Sequence, residues 1–136
     1  MVHLKRNEIA FSMVVLKMIN LKELNARLGY VVSQSVLRKF LSIIRHRIEI
    51  TDTCSIYGLD KILLVLSGAN RQKAKDFCTE LSKEIRGYDI IDIQPYPGFC
   101  FTVSAGFAEA QKDSSYQEVL QRAESEQNIF HEFRVC

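Results

Sequence analysis

The chain has 136 residues, 47% apolar and 25% charged, ordinary values for a globular domain able to bury about two-thirds of its unfolded surface. A formal net charge of +2 is too small to argue for nucleic acid or an anionic membrane as partner. No stretch approaches the ~20 apolar residues of a membrane span, and the early apolar run at 11–16 is too short for a signal peptide, so a cytoplasmic location is expected. The four cysteines, Cys54, Cys78, Cys100 and Cys136, form no CxxC pair and lie mostly in apolar stretches, so they read as reduced core residues. His3, His46 and His131 show no ligand spacing, and neither a metal nor a cofactor is expected.

Residues 1–8 are polar and basic and read as a disordered start, followed by a single domain over 9–136. Residues 9–18 are dense in apolar side chains on both faces until Lys17, the pattern of a strand covered on both faces at the centre of a sheet. A short helix over 20–29 follows, with Gly29 as its stop. Ser33 is expected to open a longer helix, with Leu37, Phe40, Leu41, Ile44 and Ile48 on one face and Arg38, Lys39, Arg45 and Arg47 on the other. Arg45, His46 and Arg47 are consecutive, so they diverge around the polar face and read as a solvated surface.

The segment IYGLDKILLVL is the strongest local signal. Residues 62–66 are a short apolar run bounded by turn residues, and 54–57 fit a partner strand. Together they predict a β-hairpin with Gly58, Leu59, Asp60 and Lys61 at its tip, where Gly58 can take a positive φ. Asn70 then caps a helix whose inward stripe is Ala74, Phe77, Cys78, Leu81 and Ile85, with Gly87 ending it. The two matching stripes place two helices on one face of the sheet. Residues 90–94 and 99–108 read as strands around a Pro95–Gly98 turn. Ser115 and Glu118 form a capping box for a last helix with Tyr116, Leu120, Ala123 and Phe130 inward. The order β-α-α-β-β-α-β-β-α predicts a ferredoxin-like α/β sandwich, a central, mostly antiparallel sheet with flanking helices.

Several stretches resemble the GGDEF domains of diguanylate cyclases, which join two GTP molecules into cyclic di-GMP on a ferredoxin-like nucleotide-cyclase fold. MVVLKMINLKELNARLGYVVSQSVL is similar to the family's LLDIDHFKxINDxxGHxxGDxxL, keeping Lys22, Asn25, Gly29 and Leu37. IYGLDKI stands where the family has RYGGDEF, keeping Tyr57, Gly58 and Asp60, and TVSAG at 102–106 resembles TVSIG. The register runs without a gap from Phe11 to Gly68.

The resemblance implies a remnant nucleotide pocket at Lys17, Lys22, Asn25, Gln34, Gly58, Asp60 and Lys61, and a remnant inhibitory product site at Glu49 and Asp52. It also implies lost chemistry. Active members hold two Mg²⁺ ions on a strand aspartate and the acidic residues of the signature; here Lys17 and Lys61 stand at two of those positions. Magnesium needs oxygen ligands, and an ammonium group has none to give. Gln34 replaces a guanine-reading aspartate, Leu59 replaces the second signature glycine, and Glu49 replaces the arginine of the RxxD product site. His131 falls near a phosphate-contacting lysine of the last helix, and the family's DxLTGLxNR segment is absent, as though the chain starts where that segment ends.

The expectation is a degenerate domain with no catalytic residue and no metal, a signalling module of a bacterial multidomain regulator. Its partners would be another protein, a neighbouring domain or a second copy in a homodimer. An alternative is a metal-independent sensor in which Lys17 and Lys61 bind a nucleotide weakly through its phosphates. Otherwise the two lysines are drift at a site freed from metal, with Asp60 the carboxylate nearest in sequence to pair one of them. An RNA-binding domain using Phe99 and Phe101 is disfavoured, because no RNP-like motif surrounds them. No nucleic-acid or membrane partner is expected.

Overall fold

The computed structural model describes residues 11–19, 21–58, 60–86, 101–110, 114–125 and 131–135. Along the chain these form β1 (Phe11–Met18), α1 (Leu21–Leu28), α2 (Tyr30–Arg47), β2 (Thr53–Tyr57), β3 (Lys61–Ser67), α3 (Arg71–Arg86), β4 (Phe101–Glu109), α4 (Tyr116–Ser125) and β5 (His131–Val135). The five strands make one sheet in the order β2-β3-β1-β4-β5, and every neighbouring pair is antiparallel.

β1 lies in the middle because its side chains are apolar on both faces. Val14, Leu16 and Met18 join Ile62, Leu64, Leu66, Val103 and Phe107 on one face, beneath Phe40 and Ile44 of α2 and Ala74, Cys78 and Leu81 of α3. Phe11, Met13 and Val15 join Val65 and Ala108 on the other face, beneath Val119 and Ala123 of α4. The expected pairing of two helices on one face is therefore present, and among the described residues α4 covers the opposite side. The Asn70 side chain caps α3, accepting the Lys73 N–H at 2.8 Å. Ser115 caps α4, its hydroxyl accepting the Glu118 N–H at 3.2 Å, but the Glu118 carboxylate accepts from that hydroxyl and not from the Ser115 N–H, so half of the expected capping box forms.

Three expectations are corrected. α2 opens at Tyr30, not at Ser33, because Gly29 at φ +83° reverses the chain between two helices without a longer loop. Ser33 is consequently buried in the first turn, and its hydroxyl donates to the Asn25 Oδ1 and to the Tyr30 carbonyl rather than capping the helix.

The last helix is described to Ser125, and residues 131–135, expected as its continuation, instead form β5 along the outer edge of β4. The backbone edge of β4 needs hydrogen-bond partners, which outweighs a continued helical stripe, and the alternating HEFRV suits a strand. His131 therefore lies on a strand opposite Ala105, not on the helix.

Arg47 is not a solvated cation of the α2 surface. It bonds Glu84 at 2.6 Å and Glu80 at 3.4 Å, tying α2 to α3. The strand expected at 90–94, the Pro95–Gly98 turn, Gly87, Leu59 and Phe130 lie outside the described residues.

Candidate functional site

The end of β1 is clamped between its neighbours. The Met18 N–H donates to the Asp60 carbonyl at 2.8 Å and the Ile19 N–H to the Thr102 carbonyl at 2.9 Å. This clamp sets Lys17 directly across from Lys61 on one side and from Ser104 on the other. Strand periodicity points all three side chains, with Tyr57 opposite Lys61, toward the α4 face. The β2–β3 turn is tight because Gly58 sits at φ +61°, and it places Asp60 beside the pair.

Two lysines directly opposite on one sheet face repel, since Cβ atoms of such pairs stand about 5 Å apart. α4 supplies the compensation. Glu124 accepts the Lys61 ammonium at 3.3 Å and the Tyr57 hydroxyl at 2.7 Å through the same oxygen, and the Lys61 ammonium also stands 5.5 Å from the Tyr57 ring centroid. Lys61 thus pairs with Glu124 and not with Asp60. Lys17 is half-buried, and among the described residues it has no ion-pair partner.

Burial, then the hydrogen bond to Glu124, then the charges of Glu124 and Asp60 push the Tyr57 phenol far above its ordinary range. It stays protonated and donating at any physiological pH, so it is no base or nucleophile. The donor set here does not fit Mg²⁺. Two ammonium groups flank the position, the Glu124 oxygen that faces it already takes two donors, and among the described residues no three acidic, histidine or cysteine side chains converge on a metal position.

The fold separates the remaining candidates. Lys22, exposed in the first turn of α1, follows β1 at the sheet end that carries Lys17, Gly58, Asp60 and Lys61. Asn25 is half-buried on α1 with its amide oxygen taken by Ser33, and Gln34 is half-buried on α2. Glu49 and Asp52 lie at the opposite end of the sheet. The two Asp52 oxygens accept the Glu49 N–H at 3.0 Å and the Ser67 N–H at 2.8 Å, closing the loop into β2 against the end of β3.

Sequence reasoning missed Glu124, the residue that neutralises Lys61. Its signal was present: the inward stripe of Tyr116 and Leu120 continues, four residues on, at Glu124. A carboxylate at an inward position needs a buried partner.

The family model described as "Diguanylate cyclase, GGDEF domain" matches residues 1–128, and the chain belongs to the GGDEF domain family. Among curated proteins no sequence match is found.

Solved GGDEF structures share the fold at low identity. The GGDEF domain of DgcB from Caulobacter crescentus, in complex with c-di-GMP, superposes with a TM-score of 0.82 at 19% identity, over 93% of this chain and 75% of that one. The active GGEEF domain of a diguanylate cyclase from Vibrio cholerae gives 0.79 at 15% identity, over 93% and 80%. The diguanylate cyclase SiaD from Pseudomonas aeruginosa, in complex with its activator SiaC, gives 0.79 at 18% identity, over 91% of this chain and 47% of that one.

Among the described residues no helix is long and apolar enough to cross a membrane.

Proposed function

We propose that this chain is a non-catalytic GGDEF domain, a single folded unit over 9–136 that works as a signalling module through protein contacts. Its partner is another protein, a neighbouring domain of a bacterial cytoplasmic regulator, or a second copy of itself. The observation that carries this reading is the pair Lys17 and Lys61, facing each other across β1 and β3 where the family resemblance expects metal-binding carboxylates.

Two like charges ~4 Å apart repel by roughly 4 kcal/mol at an effective dielectric of 20, and a dication would meet that repulsion from both lysines. The metal-assisted attack of one GTP on another has no support here. The product-site position is spent as well, because Asp52 holds a turn and Glu49 brings the wrong charge. SiaD, a structural neighbour of which this chain spans 47%, is in complex with its activator SiaC, and a protein partner is proposed here by analogy.

The test is isothermal titration calorimetry with GTP and with cyclic di-GMP, each in Mg²⁺ and in EDTA, together with a cyclase assay. No heat and no product support the reading; cyclic di-GMP formed from GTP overturns it. A second reading rests on Lys17, a half-buried cation without an ion-pair partner among the described residues. It would make the site a metal-independent nucleotide sensor with Lys22 and Asn25 alongside. Heat with GTP in EDTA that is lost on Lys17→Asp would establish that sensor in place of the first reading.

A further inference from the structure

Arg47 diverges toward α3, while the other basic residues near the end of α2 share a face with Arg38 one and two turns back. Arg38, Leu41, Ser42, Arg45 and His46 recur at i, i+3, i+4, i+7 and i+8, and they line one open groove of about 350 Å³ on the outer face of the helix. Leu41, 6% exposed, forms an aliphatic floor, while Arg38 and Arg45 stand exposed at the rim. The His46 ring is held over Ser42, its Nδ1 2.7 Å from the Ser42 carbonyl oxygen.

The charge of this face is one-sided. From Tyr30 to Arg47 the helix contains no aspartate or glutamate. Arg47 finds two glutamates on α3, yet among the described residues Arg38, Lys39 and Arg45 have no carboxylate partner. Arg45 lies against the half-buried Cys54 thiol, pulling down a pKa that burial raises. A basic helix face is ordinarily just solvated. This one differs in having an apolar cleft between two cations placed two turns apart.

We infer that this groove is the docking site for an acidic amphipathic helix of a partner protein. Arg38 and Arg45 are seven residues apart, about 10.5 Å along the axis, and carboxylates at i and i+7 of a helix laid alongside repeat at the same distance. Between them the groove takes one aliphatic side chain over Leu41 and Ser42. Among the described residues no phenylalanine, tyrosine or tryptophan lines it, and its one ring, His46, is tied to the Ser42 carbonyl, so it is a poor platform for a nucleobase. The inference rests on the reading of the chain as a protein-binding module and names the surface that module uses.

The test is fluorescence anisotropy on the full chain, with a fluorescein-labelled helical peptide carrying Glu at i and i+7 around a central Leu. Its Glu→Lys counterpart, a labelled polyuridine and phosphatidylglycerol vesicles are run beside it. The acidic peptide is expected to bind in a salt-sensitive way, the lysine peptide not to bind. Affinity should fall at least about tenfold in Arg38→Glu/Arg45→Glu, as for charge pairs at an interface. A comparable fall is expected in Ser42→Trp, which fills the groove and leaves the charges alone; circular dichroism verifies that both variants fold.

No binding at millimolar peptide, equal binding by both variants, or tighter binding of polyuridine or vesicles overturns the inference. Cyclic di-GMP synthesis by the wild-type chain would remove the non-catalytic reading and leave the peptide result standing on its own.

Discussion

Glu124 does two jobs with one oxygen, neutralising Lys61 and accepting from Tyr57. Replacing it with alanine leaves a half-buried ammonium facing Lys17 and a phenol without its acceptor. A loss of about 2 kcal/mol is expected, in the range for hydrogen bonds to charged groups, read as a lower urea midpoint. Lys61→Met in the Glu124→Ala background should recover part of that loss, because the uncompensated charge goes with it.

The same contact sets an alkaline limit. Burial, and then Glu124, raise the Tyr57 pKa in the folded state, so the fold keeps this proton after the unfolded chain has lost its own near about pH 10. This contribution is complete below pH 10 and is lost as pH climbs beyond it. Cys78, pushed up to about 12 by burial, acts in the same direction from the lower starting point of an ordinary thiol. Urea midpoints should therefore fall above about pH 9, with a shallower decline beyond pH 10 in Tyr57→Phe. An unchanged slope in that variant would mean the phenol does not keep its proton in the fold.

At the scale of elements, α2 and α3 lie on one face of the sheet and meet through Arg47. The bond to Glu84 joins two side chains each about three-quarters buried, whereas Glu80 is 66% exposed. Glu84→Ala should therefore cost more than Glu80→Ala. A double-mutant cycle of Arg47 with Glu84 should give a coupling of about 1 kcal/mol, and with Glu80 a few tenths at most.

Asp52 plays the corresponding part for the β2–β3 hairpin, joining the loop before β2 to the end of β3 through two backbone N–H groups. Asp52→Ala should destabilise by about 1–2 kcal/mol. These elements were legible to different degrees. The hairpin, the α3 stripe and the Ser115 cap of α4 follow from patterns spanning a few residues. The opening of α2 was misplaced because Ser33 looks like a cap, while the actual boundary depends on Gly29 at a positive φ.

Across the whole molecule, the sheet is asymmetric in its protection. Among the described strands β2 and β5 are its edges, and β5 covers the backbone of β4 from Phe101 to Ala105. Removing residues 126–136 would open that edge to pairing with other chains. Light scattering should then show concentration-dependent association in the truncated chain, with a lower Tm than that of the intact one.

By itself the sequence determined the central position of β1, the two helical stripes, the hairpin at Gly58 and the family. Each is written in periodicity or motif spacing, which a short stretch of chain carries alone. Tertiary structure decided the pairing of β5 with β4, the neutralisation of Lys61 by Glu124, and the separation of Glu49 and Asp52 from Lys17 and Lys61 by the length of β3. It also decided which α2 cations are paired by α3 and which are left around a groove. These features join residues tens of positions apart. Their energies arise only when the folded sheet brings a charge, a backbone edge or an apolar face against its partner, and no local pattern records that partner's identity.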